Sequence, residues 1–379
     1  MEKIARSIGM KKILNIVPYT YLPYSSGGQK LIARFNEYLG QKTDLHTVGT
    51  KDNDTVHIKN YQFHPLLNRS RWRYLNPIIP FKLIRLIRKK EIETVIFEHP
   101  YYGWVIPFLR LFTCVKIICH THNVESERFR SIEKKWWRIL ALYEGIVLRH
   151  CDKILCITEE DRAYFTEKMH IQKDKCIIVP YGIEEKEPPS DKAECKRIIC
   201  KKHQLDPNLP LLFFNGALDY KPNIEALEII LNIILPQLRS KGFECQIMIA
   251  GRGLPAHYNS LESWRKENIF YAGFVDDINM YTKAADILLN PVLTGGGIKT
   301  KMVEALGLNT TVVSTQSGAI GLQQDQAGEK LLISKDNDWE TFANLIITAH
   351  KKDRFQTPDK FYFHYYWENI IENFLGHLS

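Results

Sequence analysis

The chain has 379 residues, of which 45% are hydrophobic and 25% are charged. This composition excludes a disordered polypeptide and is typical of a globular protein long enough for two domains. The formal net charge of +8 favours acidic partners, namely nucleotide-sugars, nucleic acid or an anionic membrane surface. Nucleic acid is not expected, because the chain has neither zinc-finger spacing nor an aromatic RNA-binding pattern.

The cysteines and the apolar runs predict where the protein works. The eight cysteines form no CxxC pair, so free buried thiols in a reducing compartment are expected. The first nine residues lack the apolar core of a signal peptide, and no apolar run reaches the roughly 18 residues of a membrane-spanning helix. We therefore expect a cytoplasmic protein, soluble or peripheral on the inner face of the cytoplasmic membrane.

Short apolar runs alternate with longer amphipathic stretches in the first half of the chain. This alternation predicts a doubly wound α/β domain over residues 1–183 with a buried parallel sheet. The predicted strands are 12–17, 94–97, 115–119, 153–157 and 176–179, and the predicted helices include 29–39, 80–90 and 136–149.

The alternation restarts after a polar, proline-rich stretch at 184–191, which is predicted to link two domains. Residues 184–360 are expected to form a second Rossmann-like domain, and the helical pattern at 361–379 is expected to cross back onto the first. The fold class is thus α/β, with two doubly wound domains facing a central cleft. The predicted strands of the second domain are 211–214, 246–250, 269–271, 287–290, 311–314 and 331–333.

Three consecutive glycines precede a short helical pattern in the second domain. Gly296 and Gly297 allow backbone N–H groups to approach a ligand closely, and Lys299 and Lys301 lie at the start of the helix. Such a helix N-terminus suits a diphosphate, and Glu304 is placed to accept hydrogen bonds from sugar hydroxyls. The alternative is a solvated turn with surface lysines.

Three further turns of the second domain follow predicted strands. Gly216 ends one strand just before a helix and predicts another close approach to a ligand. Arg252 follows a strand and is a candidate for phosphate or sugar binding. The backbone near Phe274 and Val275 is a candidate for reading a nucleobase edge, with simple packing as the alternative.

Two segments of the first domain are candidates for substrate binding. Gly27 and Gly28 precede a helix, but they do not form the GxGxxG fingerprint, so a nicotinamide or flavin cofactor is disfavoured. His120 and His122 leave a strand together. A hydrogen bond from a histidine to a sugar hydroxyl or phosphate is favoured over a metal site, with a capping and packing role as the other alternative.

Two DxD triplets and one basic run complete the sequence features. The triplets at 52–54 and 336–338 are interpreted as structural turns and caps rather than metal sites. The run from 69 to 90 is basic and contains no acidic residue, and Lys82, Arg85 and Lys89 share one helical face. Such a helix is suited to anionic lipid headgroups, although an ordinary solvated basic face would look the same.

Taken in order, these motifs resemble the group-one or family-four glycosyltransferases with the GT-B fold. The resemblance covers almost the whole chain. It rests on Gly27-Gly28, residues 122–129, Tyr143-Glu144, residues 151–161 and 179–184, Asn215-Gly216 with Pro222-Asn223, Gly251, and residues 273–276 and 297–305.

The resemblance implies a UDP- or GDP-sugar donor bound mainly by the second domain. It also implies a glycan or lipid-linked acceptor bound mainly by the first, and retention of anomeric configuration without a metal or another cofactor. By the same carry-over, Glu304 holds the donor ribose, while Lys299 and Lys301 lie near the diphosphate. His122 lies near the transferred sugar. Gly27 and Gly28, with His122 and Asn123, are assigned to the loop beside the phosphate and acceptor.

Two positions depart from the family pattern. Many members carry a glutamate where this chain has Gly296, and an asparagine where it has Tyr181. A sub-group with a glycine-rich turn is similar to this chain, so loss of activity is not inferred. A catalytically silent scaffold subunit and a nucleotide-sugar epimerase remain the alternatives to a transferase.

Overall fold

The computed structural model describes residues 9–351 and 355–378. Residues 1–8, on which the signal-peptide expectation depends, and Ser379 of the predicted last helix lie outside these ranges. The chain divides into two compact units, one comprising Met1–Gly182 with Trp367–Ser379 and the other comprising Ile183–Tyr366.

The first unit contains a seven-stranded parallel sheet in the order β3-β2-β1-β4-β5-β6-β7. The strand order reverses between β1 and β4, the position at which doubly wound sheets bind ligands beyond the carboxyl ends of their strands. The strands are β1 (Lys12–Ile16), β2 (Asp44–Thr50), β3 (Gln62–Leu67), β4 (Thr94–Glu98), β5 (Lys116–Thr121), β6 (Lys153–Cys156) and β7 (Cys176–Ile178).

The helices of the first unit cover its sheet and bury apolar faces against it. They are α1 (Gly27–Lys42), α2 (Ile79–Lys90), α3 (Ile106–Phe112), α4 (Glu125–Ser131), α5 (Trp137–Arg149), α6 (Glu159–Glu167) and, at the end of the chain, α15 (Trp367–Gly376). Three 3₁₀ segments lie at Arg71–Leu75, Pro100–Val105 and Lys173–Lys175.

The second unit contains a six-stranded parallel sheet in the order β10-β9-β8-β11-β12-β13. Its order reverses between β8 and β11, so a second ligand-binding position is expected there. The strands are β8 (Leu211–Asn215), β9 (Gln246–Ala250), β10 (Ile269–Gly273), β11 (Ile287–Asn290), β12 (Thr311–Thr315) and β13 (Leu331–Ser334).

The second unit has helices on both faces of its sheet. A π-helical turn at Ile230–Ile234 joins two of them. The helices are α7 (Lys192–His203), α8 (Lys221–Ile229), α9 (Leu235–Ser240), α10 (Ile278–Ala284), α11 (Thr300–Gly307), α12 (Gln324–Ala327), α13 (Trp339–Lys351) and α14 (Asp359–Tyr365), with 3₁₀ segments at Ala256–Glu267 and Gly328–Lys330.

The two strands that the sequence did not predict are β2 and β3. β2 contains His46 and Gly49 among its apolar residues, and β3 is an edge strand that tolerates Pro65. His46 Nδ1 and His64 Nε2 lie 2.9 Å apart across the pair. β2 and β3 pair through a parallel backbone ladder, and polar side chains interrupt both strands, so neither shows the continuous apolar run of a buried strand.

The predicted last helix is divided between the two units. α14 belongs to the second unit, and the chain returns to the first unit at Trp367 rather than at residue 361. A Cβ atom at Gly182 would lie 2.4 Å from the Trp367 ring, which explains the glycine there. Tyr181 packs with its ring centroid 6.4 Å from that of Trp367.

Among the described residues, no helix combines the length and the apolar character needed to cross a membrane.

Candidate functional site

The turns that follow β8 and β11 lie together at the reversal point of the second sheet. A Cβ atom at Gly295 would lie 3.3 Å from Tyr220 Oη, just before α8. Thr294 Oγ1 donates a hydrogen bond to Glu225 Oε2 at 3.3 Å. The glycine turn before α11 is therefore held against the start of α8, so two helix N-termini open at one point of the sheet edge.

The two lysines of this turn have different partners. Lys299 Nζ donates to the carbonyl oxygens of Gly295 and Gly297, both at 2.9 Å. Lys301 Nζ donates to Asn215 O at 3.1 Å and lies 4.4 Å from the centroid of the Phe214 ring. Lys299 thus closes the glycine turn, whereas Lys301 reaches from α11 to the end of β8.

Both ammonium groups are poorly solvated. Burial lowers the pKa of Lys299 to about 8. Burial, assisted by the charge of Lys299, lowers the pKa of Lys301 to about 7. Two adjacent cations whose charged forms are penalised in this way mark a position where a bound anion would be strongly stabilised.

The other residues predicted for this turn lie close in sequence to the lysines. Gly296 is exposed, and Gly297 has a φ of +70°, a backbone conformation that favours glycine. Glu304 lies three residues after Lys301 on α11 and is half-buried.

The turns after β8, β9 and β10 form a continuous row beside the lysines. Gly216 N donates to Ala250 O at 3.1 Å, and Gly251 N donates to Gly273 O at 2.8 Å. Leu218 N donates to Arg252 O at 2.7 Å. The structure thus brings Gly216 and the backbone of Arg252 together at this sheet edge.

Phe274 and Val275 follow β10 at the end of this row. Phe274 is 71% exposed and Val275 is half-buried. The packing alternative for Phe274 is therefore not realised within the second unit, and its ring is accessible to solvent.

Gly251→Ala is expected to destabilise the second unit. A Cβ atom at Gly251 would lie 1.8 Å from Gly216 O, and the residue has a φ of +153°. Backbone must move to relieve this contact, so a loss of about 3 kcal/mol or more is expected. Thermal unfolding should show a melting temperature lowered by roughly 6–12 °C.

Gly376→Ala is the matched control, because a Cβ atom there meets nothing within 4 Å. A Gly251→Ala melting temperature equal to that of Gly376→Ala would contradict the close approach of the two turns.

In the first unit, a buried polar network lies at the carboxyl ends of β1, β4 and β5. Asn15 Nδ2 donates to Glu98 Oε1 at 2.8 Å and to Asn36 Oδ1 at 2.7 Å. The other oxygen of Glu98 lies 2.6 Å from His122 Nε2 and 3.1 Å from His120 Nδ1. The fully buried carboxylate of Glu98 thus fixes the position of the His122 ring.

The charges of this network define the tautomer of His122. Burial raises the pKa of Glu98, but its interactions with His120 and His122 outweigh burial and hold that pKa below its ordinary value. Burial, with the nearby His99, lowers the pKa of His122 to about 3. A neutral His122 therefore donates its Nε2 hydrogen to Glu98, which leaves Nδ1 as a hydrogen-bond acceptor.

Glu98, His120 and His122 also have the side-chain types of a metal site, with ligand atoms that all lie within 4.8 Å of one another. However, the 2.6 Å between His122 and Glu98 is a hydrogen-bond length. Ligand atoms around an ion at about 2.0–2.2 Å stand farther apart than this. The observed spacing fits a shared proton, and metal independence stays a prediction.

His99, like Glu98, is a buried residue of this region that the sequence reasoning missed. Its ring centroid lies 4.1 Å from that of His122, and its Nε2 lies 2.9 Å from Tyr19 Oη. Its backbone has φ +66° and ψ 159°, a conformation that is costly for any residue but glycine and that clusters at functional sites. The available signal was its position two residues after a predicted strand, 94–97.

Two acidic residues organise the segment that follows His122. Glu125 accepts hydrogen bonds from Arg128 Nη2 and Tyr101 Oη, both at 2.6 Å. Glu144 on α5 accepts from the backbone N–H groups of Glu125 and Ser126 at 2.9 and 3.1 Å, so it caps α4. Burial raises the pKa of Glu144 to about 7. The half-buried Asn123 lies in the short connection between His122 and this capped helix.

Gly27 and Gly28 form the first residues of α1, whose N-cap is Ser26. Gly27 is half-buried, Gly28 is exposed, and a Cβ atom at Gly28 would meet nothing within 4 Å. This helix N-terminus follows β1, the strand next to the reversal point of the first sheet.

Both DxD triplets are engaged in local hydrogen bonds. Asp52 Oδ2 accepts from Thr20 Oγ1 at 2.7 Å, and Asp54 Oδ1 accepts from Val56 N at 3.0 Å. Asp336 Oδ1 accepts from Ser317 N at 2.9 Å, while Asp338 accepts from Thr341 N at 3.1 Å at the start of α13. These contacts fit the structural interpretation of both triplets.

The architecture is similar to that of several solved glycosyltransferases. Sucrose-phosphate synthase from Thermosynechococcus elongatus matches with a TM-score of 0.72 at 16% identity, covering 97% of this chain and 98% of that one. HepE from Anabaena, in complex with UDP, matches with a TM-score of 0.72 at 12% identity over 97% and 99%. The lipopolysaccharide outer core galactosyltransferase WaaB matches with a TM-score of 0.67 at 11% identity over 97% and 99%.

These likenesses, with the two doubly wound parallel sheets, define a protein of the GT-B fold. Residues 26–187 match the family model described as Glycosyltransferase Family 4. Residues 209–352 match the model described as Glycosyl transferases group 1. The chain belongs to the group-one glycosyltransferases.

A curated relative from Klebsiella pneumoniae is described as an uncharacterized 44.6 kDa protein in the cps region. It is 30% identical over 283 residues, which are 69% of this chain and 66% of the relative's own length.

Proposed function

We propose that the protein is a retaining, metal-independent glycosyltransferase that moves a sugar from a nucleoside-diphosphate-sugar to a glycan or lipid-linked glycan acceptor in envelope polysaccharide synthesis. The observation that carries this proposal is the desolvated Lys299–Lys301 pair beside the glycine turn at the reversal point of the second sheet. Family membership supports transfer chemistry, and the relative in the cps region supports an envelope glycan.

In this proposal the second unit stabilises the leaving diphosphate. Negative charge grows on the diphosphate as the glycosidic bond breaks. Lys301 and the first amides of α11 stabilise this charge in place of a divalent ion, and Lys299 holds the turn that presents them. The acceptor hydroxyl attacks from the side of the leaving group, and a diphosphate oxygen takes its proton, so no enzyme nucleophile is required.

The remaining donor contacts are assigned to the neighbouring turns. Glu304 accepts hydrogen bonds from the ribose hydroxyls, and Arg252 binds phosphate or sugar. The backbone near Phe274 and Val275 reads the base, which we assign to uracil or guanine. The exposed Phe274 ring is available to cover a bound base.

The first unit supplies groups for the transferred sugar and the acceptor. The neutral His122 offers Nδ1 to a sugar hydroxyl, since Glu98 holds its other nitrogen. His99 lies against the same ring and is assigned a contact of the same kind. Gly27, Gly28 and Asn123 are assigned to the acceptor and phosphate loop. We place the protein in the cytoplasm at the inner face of the membrane.

Donor affinity is expected to fall as the pH rises above about 7. Lys301 has a pKa of about 7 in the free protein, so it binds an anion at full strength only below this value. Above it, binding must also take up a proton, and the affinity is expected to fall by up to about tenfold per pH unit. Calorimetric titration of a nucleoside diphosphate at several pH values, with EDTA present, measures this slope. An affinity that is constant from pH 6 to pH 9 would count against the role of Lys301.

Thermal unfolding with a panel of nucleotide-sugars tests the function itself. A donor that binds the folded state alone raises the melting temperature, so one UDP- or GDP-sugar should do so in EDTA. The anomeric configuration of the product, followed by NMR, then tests retention. A requirement for a divalent ion, or an inverted product, would overturn the corresponding part of the proposal.

A catalytically silent scaffold is the second candidate, because Gly296 replaces a glutamate of the family pattern. The same measurements separate the two functions. A scaffold should show neither stabilisation by any nucleotide-sugar nor slow hydrolysis of one.

A further inference from the structure

Three neighbouring helices of the first unit carry large apolar side chains on their outer faces. Arg88 Nη2 of α2 donates to Phe112 O of α3 at 3.0 Å, and Arg110 Nη2 of α3 donates to His150 O, just beyond α5, at 3.2 Å. The 3₁₀ segment before α2 also contacts this group, because its Arg73 O accepts a hydrogen bond at 3.1 Å from Tyr102 Oη in the 3₁₀ segment before α3. Six large apolar residues on this surface are more than 60% exposed, namely Trp72, Leu75, Phe81, Leu111, Ile139 and Leu142. We call it the apolar-basic face.

α5 shows why this exposure needs a partner. Its inner face buries Leu140 and Val147. Its outer face presents Ile139, Leu142 and Ile146 at helical spacing, and these are 72%, 66% and 45% exposed. A solvated helix carries polar residues on its outer face, so an apolar stripe on both faces predicts a surface that is covered in use.

The charges on the same helices are of one sign. α2 exposes Lys82, Arg85, Arg88 and Lys89, and residues 69–90 contain no acidic residue. Across α2, α3 and α5 the single acidic residue is Glu144, which is buried. Carboxylates with exposed side chains lie just beyond the helix ends, at Glu91 after α2 and at Asp152 after α5, where Asp152 pairs with Arg110. Apolar side chains that include Trp72, bordered by the cations of α2, have the chemistry of a helix surface that lies in the headgroup region of an anionic bilayer.

We propose that the apolar-basic face docks the protein on an anionic lipid surface, with the apolar side chains entering the headgroup region and the cations contacting phosphates. The inference deepens the proposed function, because a lipid-linked acceptor would be reached from such a surface. A second copy of this chain is disfavoured as the occupant, since the face would then meet its own positive charges.

Vesicle flotation of the full chain tests this docking. The protein should float with vesicles that contain phosphatidylglycerol, remain behind with pure phosphatidylcholine, and be released by high salt. Lys82→Gln/Arg85→Gln/Lys89→Gln should weaken binding on the order of a hundredfold, because each cation near an anionic surface contributes about fivefold. Ile139→Ser/Leu142→Ser should also reduce binding, although it leaves every charge in place.

The matched control is Lys201→Gln/Lys266→Gln/Lys335→Gln, which removes three exposed cations from the second unit. It should bind vesicles like the wild type. Equal binding to both vesicle types, or equal weakening by the control and the α2 variant, would overturn the proposal. Two other results would also overturn it. In the first, the wild type binds no vesicles and is a dimer in light scattering, and the Ile139→Ser/Leu142→Ser variant is not a dimer. In the second, the apolar-basic face binds an acidic protein and no vesicles.

Stabilisation by a nucleotide-sugar separates this inference from the proposed function. All three variants should keep the donor-induced rise in melting temperature, since none of their positions lies in the donor site. If the wild type does not bind vesicles but its melting temperature still rises with the donor, only the docking proposal is refuted. Absence of donor stabilisation refutes the enzyme assignment alone.

Discussion

Lys301→Ala should abolish most donor binding and lower turnover by about 10²–10³-fold. The lysine is half-buried, its pKa is lowered to about 7, and its ammonium group lies at the end of β8 beside the glycine turn. A diphosphate bound there would lose its principal cation. Calorimetric titration with the nucleoside diphosphate measures the binding loss, and donor hydrolysis or transfer measures the rate.

The variant should nevertheless fold. Removing a cation that burial disfavours costs little in the free protein, so its melting temperature without ligand should stay within about 2 °C of the wild type. Lys335→Ala, which removes an exposed lysine of the same unit, is the control for loss of charge. Normal affinity and turnover in Lys301→Ala would remove Lys301 from the mechanism.

Glu98→Ala should destabilise the first unit by about 3–5 kcal/mol, because it leaves two buried donors without this acceptor and removes the charge beside a buried histidine. The donors are Asn15 and His122, and the histidine is His120, whose Nδ1 lies 3.1 Å from the carboxylate. Thermal unfolding should show a melting temperature lowered by roughly 10 °C. Glu98→Gln keeps the size and one acceptor oxygen, so it should lose less.

The pH dependence of stability gives a second readout of Glu98. Its pKa lies below the ordinary glutamate value, so its contribution to stability is fully present above about pH 4.5 and is lost as the pH falls through the folded pKa. Glu93→Ala, at an exposed glutamate just before the same strand, is the control. If Glu98→Ala melted at the same temperature as Glu93→Ala, the network would have no role in holding His122.

The sequence predicted the sheets because parallel strands are buried on both faces. Strands such as β9 and β11 appear as short apolar runs, and every strand of the second sheet was predicted. β2 and β3 were missed because His46 and His64 pair with each other instead of extending an apolar run. Such pairing depends on residues distant in the chain and leaves no local pattern.

The turn that contains the lysines and glycines of the candidate site could be predicted for a similar reason. A turn that follows a strand and opens a helix has a fixed place in this fold, so the position of Lys299 and Lys301 at the edge of the second sheet could be predicted from order alone. The distinction between them could not, since it depends on which carbonyl oxygens each ammonium group reaches.

The buried polar network around Glu98 in the first unit could not be predicted from the sequence, for a further reason. Glu98 meets His120 through the register of β4 with β5, and the strain at His99 is a property of its backbone. The local sequence, a histidine followed by a proline after a strand, predicts neither the contact of Glu98 with His120 nor the backbone strain at His99. His122 could therefore be chosen as a candidate, but the carboxylate that orients it could not.

The central claim is that the glycine turn and Lys301 hold a diphosphate without a divalent ion. A crystal structure of the protein with a nucleoside diphosphate, grown in EDTA, tests it most directly. We predict a diphosphate oxygen about 3 Å from Lys301 Nζ, with the amides of Gly296 and Gly297 directed at the same group. A diphosphate bound away from this turn, or bound only through a divalent cation, would contradict the account.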